Sequence, residues 1–316
     1  MLTHEPRDWL DFRQAPLGRR GGPAPAELVD YVRLVNQATD VPAVPEAVLP
    51  AEDFAADVED AMAELPARLR AMLDRSLLGV FFARDLGCSV VTDVVLHEGE
   101  PLGAVVALDM EVLRDHTANT WATLRENEPF RRDGRQHREG GSGLQVVLEH
   151  GGQDVRRNAL QFLLLHEFGH ALTAGGNFLP DWWTRPADLA PAASYPFLAL
   201  SWDIDEQRRI VPNPDNSFPL RERVKSHTSP ELERTDYAGL YGQLALTTFP
   251  TLYAADNAYD DFAECFAVYV HSIMMGRPYE VHLTGEHPTL LADSHSLQAR
   301  CPEKFAFVKN LIDNAA

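Results

Sequence analysis

Cysteine is scarce in this chain, and the three residues present, Cys88, Cys265 and Cys301, lie far apart. This spacing excludes a disulfide framework and a clustered thiolate metal site. No apolar run is long enough to span a bilayer, and the first residues lack the basic start and apolar run of a secretory signal. We therefore expect a cytoplasmic protein that needs no disulfide bond.

Positive charge is also in short supply. Lysine and arginine number 28 against 47 aspartates and glutamates, so the formal net charge is −19. Such a balance favours solubility and argues against nucleic acid or an anionic membrane as a partner. We expect neither a nucleic-acid partner nor a membrane partner.

The patterning of the first half predicts helices followed by strands. A helix is expected at 25–39, and a second helical stretch at 51–75 is divided by Pro66. Short β-branched and aromatic runs at 78–82, 89–96, 103–108 and 144–148 predict a small mixed sheet. The last of these is a candidate exposed edge for a bound peptide, or else an edge that a nearby loop covers.

Two histidines are spaced four residues apart in the stretch His166-Glu167-Phe168-Gly169-His170. In an α-helix, positions i and i+4 lie on nearly the same face, about 6 Å apart along the axis, so one metal ion can bind both rings. Zn²⁺ suits neutral imidazole nitrogens in a tetrahedral shell, and a catalytic site adds a third protein ligand and a water. Glu167 is then the natural base for that water.

The surroundings of this stretch predict a buried helix. No proline occurs from Val155 to Ala174, apolar residues lie on nearly every side, and Gly175-Gly176 ends the segment. The motif constrains few positions, so the alternative is a pair of satisfied core histidines beside a surface glutamate. The helical context favours the metal site over that alternative.

A third ligand must come from another part of the chain, and the best candidate is the helical stretch Tyr259–His271. Asp260 and Glu264 are again i and i+4, so both carboxylates can face the histidine helix. One acid can bind zinc while the other accepts the second ring N–H of a ligating histidine. The alternative for each is a solvated acid at a helix N-terminus, which the helix dipole favours.

These two segments resemble the zincin-fold metallopeptidases represented by the catalytic domain of anthrax lethal factor, a gluzincin-like group. The family's His-Glu-Phe-Gly-His helix is followed by a Glu-Phe-Phe-Ala-Glu-Ala-Phe-like helix. The corresponding residues here are Asp260-Asp261-Phe262-Ala263-Glu264-Cys265-Phe266. The ending Cys301–Val308 also resembles the family's final helix. The resemblance runs from about Glu64 to the C-terminus, strong at the two site helices and faint elsewhere.

The resemblance implies an α+β fold of the zincin type, with a small mixed sheet, an active-site helix that carries the HExxH motif, and a C-terminal helical subdomain. It implies a mostly helical or irregular extension over 1–60 and a catalytic domain over 61–316 with a long insertion at 177–252. In the family, the first acid of the second helix binds zinc, the second supports the site, and a tyrosine seven residues before the third ligand faces the reacting carbonyl. Asp260, Glu264 and Tyr253 stand at those positions.

The chain departs from the family at one ligand. The family carries glutamate as the third ligand, whereas Asp260 is one methylene shorter. Aspartate binds zinc at similar oxygen distances. Either the two helices then lie closer together, or Glu264 is the ligand instead. We favour Asp260 as the ligand and keep Glu264 as its supporting residue or replacement.

The sequence therefore predicts a zinc-dependent endopeptidase that acts on a peptide or protein substrate. His166, His170 and Asp260 would hold Zn²⁺. Glu167 would carry a proton from water to the leaving amine, and Tyr253 would donate to the oxyanion. Two alternatives follow from the same residues: a zincin-fold binding protein with weakened or lost catalysis, and a toxin-like effector protease of narrow specificity.

Overall fold

The computed structural model describes residues 2–3, 6–131, 143–225, 230–285 and 287–315. Helices and strands are interspersed along these residues, which makes the protein mixed α+β, as the sequence predicts. The helices are α1 (Pro6–Phe12), α2 (Ala26–Ala38), α3 (Glu52–Ala63), α4 (Ala67–Ser76), α5 (Met110–Leu113), α6 (Ala118–Glu126), α7 (Arg156–Thr173), α8 (Tyr237–Leu244), α9 (Ala258–Val268), α10 (Ser294–Arg300) and α11 (Pro302–Asn314). The strands are β1 (Leu2–Thr3), β2 (Gly21–Pro23), β3 (Glu46–Ala47), β4 (Leu77–Arg84), β5 (Val90–His97), β6 (Glu100–Asp109), β7 (Leu144–Val147), β8 (Trp202–Ile204), β9 (Ile210–Pro212), β10 (Glu280–Leu283) and β11 (Thr289–Asp293).

The main sheet is mixed, with strand order β1-β5-β6-β4-β2 and β3 paired to β4. β5 and β6 form an antiparallel hairpin, whereas β4 runs parallel to β6 and to β2. The hairpin turns at Glu98 and Gly99, which both have positive φ, as a two-residue turn matched to the strand twist requires. The three strands predicted at 78–82, 89–96 and 103–108 correspond to β4, β5 and β6.

Helices cover both faces of this sheet. On one face, Trp9 of α1 and Leu28 of α2 belong to the same buried cluster as Phe81 of β4. On the other face, α4 and α7 belong to the larger core, together with the alternate β4 residues Val80 and Phe82. Successive side chains of a strand point to opposite faces, so β4 is buried on both sides. This accounts for its unbroken apolar run.

α7, which carries the two histidines of the motif, is the longest of the described helices and lies within the larger core. It packs against α3, α6, α9 and strand β5. This central position explains the apolar residues on nearly every side of the helix. Among the described residues, no helix is long and apolar enough to cross a membrane.

β7 does not join the main sheet. It pairs with β10, which pairs in turn with β11, in a separate three-stranded sheet. The other edge of β7 lies against α6, where the Val146 N–H donates to Thr123 and the Leu148 N–H donates to Asn119. The expectation of an exposed edge at 144–148 is therefore wrong, because side chains of α6 already bond the backbone groups that a peptide would use.

The residues expected to form an N-terminal extension contribute to the main sheet. β2 and β3 both pair with β4, and α3 runs across the expected boundary at residue 60. Arg156, at the start of α7, donates to Asp53 and Asp57 of α3. Residues 1–60 and 61–316 thus share one sheet and one core in the part of the chain that is described.

The segment 177–252 is a packed structure rather than an open loop. Its described residues include the β8–β9 hairpin, α8 and several 3₁₀ turns. The rings of Phe197, Trp202 and Phe249 are buried against the core. The indole N–H of Trp202 donates to Asp261 of α9 at 2.9 Å. Aromatic residues of this segment therefore contact the helix that follows, as Phe197 does at Phe262, and Trp182 lines a cavity.

Candidate metal centre

α7 holds His166 and His170 on the face that turns toward α9. Their Nε2 atoms lie 3.1 Å apart, and the two rings meet edge to face. The helix has no Asp or Glu in its first turn and no side-chain cap, so burial and not local capping stabilises it. The i and i+4 spacing therefore directs two imidazole nitrogens at one point, as the sequence predicts.

α9 brings a carboxylate oxygen to the same point. Asp260 Oδ1 lies 3.3 Å from His170 Nε2 and 3.7 Å from His166 Nε2. Its second oxygen, Oδ2, accepts from the side chain of Asn257 at 2.6 Å. Asn257 is also the N-cap of α9, since its own oxygen accepts from the Tyr259 and Asp260 N–H groups. One residue thus begins the helix and orients the first acid on it.

These three donor atoms match the spacing of zinc ligands. The donor atoms of His166, His170 and Asp260 all lie within 4.8 Å of one another, with separations of 3.1, 3.3 and 3.7 Å. A tetrahedral shell with bonds of about 2.0–2.1 Å separates its ligand atoms by about 3.4 Å. Two nitrogens and one carboxylate oxygen are also donor types that Zn²⁺ accepts. The residues present therefore fit a zinc ion.

The electrostatics keep the aspartate in its ligating form. Burial raises the pKa of Asp260, but the hydrogen bond and charge of His170 outweigh burial and lower that pKa below its ordinary value. Burial likewise disfavours the charged ring of His170, yet its contact with Asp260 raises its pKa. A proton held between these two groups has to leave when a metal ion binds. The affinity for metal should therefore decrease as the pH is lowered.

Glu264 lies on the far side of the His166 ring from the three donor atoms. Its Oε1 accepts from His166 Nδ1 at 2.7 Å, and its Oε2 accepts from Thr251 at 2.7 Å. Arg125 donates to the same Oε1. Burial raises the pKa of Glu264, but Arg125 and His166 lower it to about 2. An ionised Glu264 bonded to Nδ1 leaves Nε2 for the metal, so this geometry favours Asp260 as the third ligand and Glu264 as its support.

Glu167 is buried on the cavity wall beside the two histidines. It is 5% exposed, and its Oε2 accepts from Thr92 of β5 at 2.6 Å. That contact fixes one carboxylate oxygen against the main sheet, while the residue as a whole lines the cavity. A carboxylate in this position could serve as the base for a water bound to a metal ion that the three ligating atoms would hold.

The ring of Tyr253 packs against the His166 ring. The two rings meet edge to face with centroids 5.3 Å apart, and the Arg125 guanidinium lies 3.9 Å from the Tyr253 ring centroid. Burial, with a smaller contribution from the charge of Asp260, raises the pKa of the Tyr253 phenol well above its ordinary value. The phenol therefore keeps its proton, and the residue lines the cavity.

The cavity over these residues has a volume of about 1080 Å³. Residues Val90 to Thr92 of β5 line one part of it. Much of the remaining lining is apolar or aromatic and consists of Trp121, Leu124, Phe130, Leu163, Trp182 and Tyr259. The site is thus a wide apolar cavity with a small polar centre, which is the usual form of a ligand or substrate site.

Gly169 sets the distance between the two helices that supply the donor atoms. A Cβ at this position would lie 2.6 Å from the Cα of Ala263 and 3.1 Å from its Cβ. Ala263 stands between Asp260 and Glu264 on α9, so the backbones touch at the level of the site. The glycine therefore lets α7 and α9 lie in close contact, which helps the shorter aspartate to reach the histidines.

We expect Gly169→Ala to weaken zinc binding and to destabilise the fold. The added methyl meets backbone atoms that cannot rotate away, so α7 and α9 must separate and carry Asp260 away from the histidines. Overpacking of this kind costs about 1–3 kcal/mol. Urea unfolding and competition with a chromophoric zinc chelator measure the two effects.

A matched control for this substitution lies in α8. A Cβ at Gly239 would meet nothing within 4 Å, so Gly239→Ala should be neutral or stabilise the helix by up to about 1 kcal/mol. If Gly169→Ala kept the wild-type stability and zinc affinity, the close contact of the two helices would not be what positions the ligands.

The sequence analysis did not identify several residues of the site. Arg125, Thr92 and Thr251 come from α6, β5 and the segment before α9, and no local pattern connects them with the motif. Asn257 did carry a signal, since an asparagine directly before a helical stretch is a common N-cap. His271, farther along the same helical stretch as Asp260, bonds the Leu148 and Pro278 carbonyls and is not among the grouped ligand atoms.

Models of protein families, curated proteins and solved structures gave no match to this chain. The case for a function therefore rests on the side chains gathered at residues 166, 167, 170, 253, 260 and 264.

Proposed function

We propose that this protein is a zinc-dependent peptidase of zincin fold, similar to the lethal-factor type of metallopeptidase that its site helices resemble. One observation carries the proposal: three metal-binding atoms at zinc spacing, from His166, His170 and Asp260, lie in a cavity beside the buried carboxylate of Glu167. A structural metal site needs no such carboxylate and no such cavity, because its four ligands are all protein groups. Two nitrogens, one oxygen and an open fourth position fit hydrolysis.

Zinc, when bound, supplies Lewis acidity that lowers the pKa of a water molecule and polarises a carbonyl. Glu167 accepts the proton of the attacking water as the water oxygen bonds to the carbonyl carbon. The same carboxyl then gives this proton to the amide nitrogen as the C–N bond breaks. The bond from Thr92 limits Glu167 to rotamers that face the cavity.

Tyr253, which contacts the His166 ring, complements Glu167. Its phenol keeps its proton because of burial, so it can donate to the carbonyl oxygen as negative charge develops there. Such a donor acts in the transition state more than in the ground state, because only there is the oxygen fully charged. Tyr253 is therefore assigned to oxyanion stabilisation.

β5 supports an extended peptide as the substrate. In the described part of the chain, β1 pairs with β5 only at Val95 and Leu96, and no strand pairs with its outer edge from Val90 to Asp93. This edge forms the cavity wall, and Thr92 on it bonds Glu167. A peptide added to the edge would bond the backbone of β5 and pass directly by the proposed base.

Metal analysis combined with a peptide-cleavage screen tests the proposal. We expect one zinc per chain, cleavage of peptides in a diverse library read by mass spectrometry, and loss of cleavage on chelation that added zinc reverses. Asp260→Asn should lower zinc occupancy strongly. His282→Gln is the matched control, since His282 bonds Glu280 on β10 and does not line the cavity.

Two results would contradict this function. Iron in place of zinc would point to the oxygen chemistry that two histidines and one carboxylate also support. Zinc bound at full occupancy without cleavage of any library peptide would favour a zincin-fold binding protein that has lost catalysis. An unchanged zinc content in Asp260→Asn would contradict the ligand assignment alone.

A further inference from the structure

Arg125 is a largely buried cation beside Glu264 and Tyr253, and the proposed mechanism gives it no task. It lies on α6, one residue before the end of that helix, with only 14% of its side chain exposed. Its Nη2 donates to Glu264 Oε1 and lies 3.4 Å from His166 Nδ1. Burying a guanidinium is costly unless it is paired, so this placement calls for an explanation.

One contact of Arg125 completes the hydrogen bonding of Glu264. The carboxylate is 1% exposed and receives three donors: His166 Nδ1 and Arg125 Nη2 on Oε1, and Thr251 Oγ1 on Oε2. These donors come from α7, α6 and the segment before α9. Without the guanidinium, Glu264 would be a buried anion with two remaining donors. These are the neutral hydroxyl of Thr251 and the His166 ring, which Glu264 itself orients.

A second contact of Arg125 fixes Tyr253. The guanidinium carbon lies 3.9 Å from the centroid of the Tyr253 ring and 5.5 Å from that of Trp121, so the cation is close to two aromatic rings. A planar guanidinium stacks on an aromatic ring while its edge donates to a carboxylate, and a lysine ammonium cannot do both. The same side chain therefore contacts the residue that orients a histidine ligand and the residue assigned to the oxyanion.

We propose that Arg125 is the positioning residue of this centre, and that it couples metal binding to oxyanion stabilisation. Its edge holds Glu264 so that His166 presents Nε2 to the metal. Its face holds the Tyr253 ring above the cavity. The inference rests on the proposed zinc-peptidase function, and it assigns to Arg125 no contact with substrate.

The two contacts predict different results for two substitutions in the full chain. Arg125→Ala removes both and should weaken zinc binding by about 10–100-fold, as loss of a partner of a metal ligand does elsewhere. Arg125→Lys keeps a positive charge for Glu264 but loses the planar face. It should hold zinc within a few-fold of wild type, and kcat should fall about 10-fold or more with little change in KM.

Chemical rescue separates positioning from general stability. Guanidinium chloride at millimolar concentration should restore zinc affinity to Arg125→Ala, because the free cation can occupy the space between Glu264 and Tyr253. Arg277→Ala is the matched control: it removes ion pairs with Glu64 and Glu149 outside the cavity, so guanidinium should not change its zinc affinity. The visible spectrum of the Co²⁺-substituted protein, which reports ligand geometry, should change for Arg125→Ala and not for Arg277→Ala.

If Arg125→Ala does not fold, the double variant Arg125→Met with Glu264→Gln removes both charges of the buried pair. It should fold and bind zinc more weakly than wild type. Wild-type zinc affinity in this variant or in folded Arg125→Ala, or equal kcat in Arg125→Lys, overturns the role of Arg125 while leaving the zinc site intact. Wild-type protein that binds no zinc overturns the proposed function itself.

Discussion

Glu167→Gln is expected to lower kcat/KM for peptide cleavage by about three orders of magnitude, within the range of about 10²–10⁴ that a positioned general base contributes. Glutamine has the same shape and can still accept the hydrogen bond from Thr92, so the fold and cavity should not change. It cannot take a proton from water. Zinc content should equal that of the wild type, because Glu167 is not one of the three proposed metal ligands His166, His170 and Asp260.

The measurement compares steady-state cleavage of one identified peptide with zinc content in the same preparations. Glu111→Gln serves as the control, since this exposed carboxylate also lines the cavity but lies away from the histidines in the chain. It should retain its activity. Cleavage by Glu167→Gln within tenfold of the wild type would show that another group accepts the proton.

Local periodicity was sufficient to predict the two halves of this site. The pairs 166/170 and 260/264 each have the i and i+4 spacing, and in both cases an apolar helix places the two side chains on one face. The main strands could also be predicted from local sequence, because β4, β5 and β6 contain the apolar and β-branched runs that buried strands need. Features that depend on one local segment, such as which residues share a helix face, could therefore be predicted from the sequence.

Pairings between distant segments were not accessible. Arg125 and Glu264 are 139 positions apart, and Thr92 and Glu167 are 75 apart, so nothing local distinguishes these residues from other polar residues. β7 illustrates the same limit: an alternating strand can pair with any sheet edge, and only the tertiary structure shows that β10 and α6 cover it. The close contact between Gly169 and Ala263, which brings α7 and α9 together at the level of the site, is likewise not revealed by the motif alone.

Behind the metal centre, α9 is fixed to α11 by an ion pair that is fully removed from water. Lys304 Nζ donates to Asp261 Oδ1 at 2.7 Å and to Oδ2 at 2.6 Å, with side chains 1% and 0% exposed. Trp202 donates to the same carboxylate, and the ammonium lies 4.8 Å from the ring centroid of Phe249. Burial raises the pKa of Asp261 although these donors oppose it, so the carboxylate depends on its partners to remain ionised.

Lys304→Met should lower the free energy of unfolding by about 3–5 kcal/mol, because it leaves Asp261 as a buried anion without a cation. Urea unfolding with extrapolation to water measures this loss. Lys309→Met is the matched control on the same helix: Lys309 pairs with Asp313 at the surface, where solvent screens the two charges and the pair contributes little to stability. Equal losses in the two variants would mean that the buried pair does not stabilise the protein.

The double variant Lys304→Met with Asp261→Asn distinguishes a need for charge from a need for shape. Removing one partner of a buried pair is costly, whereas replacing both by neutral groups of similar size is often neutral. An asparagine can still accept from Trp202, so we expect the double variant to recover most of the lost stability. Zinc affinity should follow the same order, because Asp261 directly follows the proposed ligand Asp260 and any shift of α9 moves both residues. Lys304→Met alone should bind zinc more weakly, and Asp261→Asn added to it should restore binding.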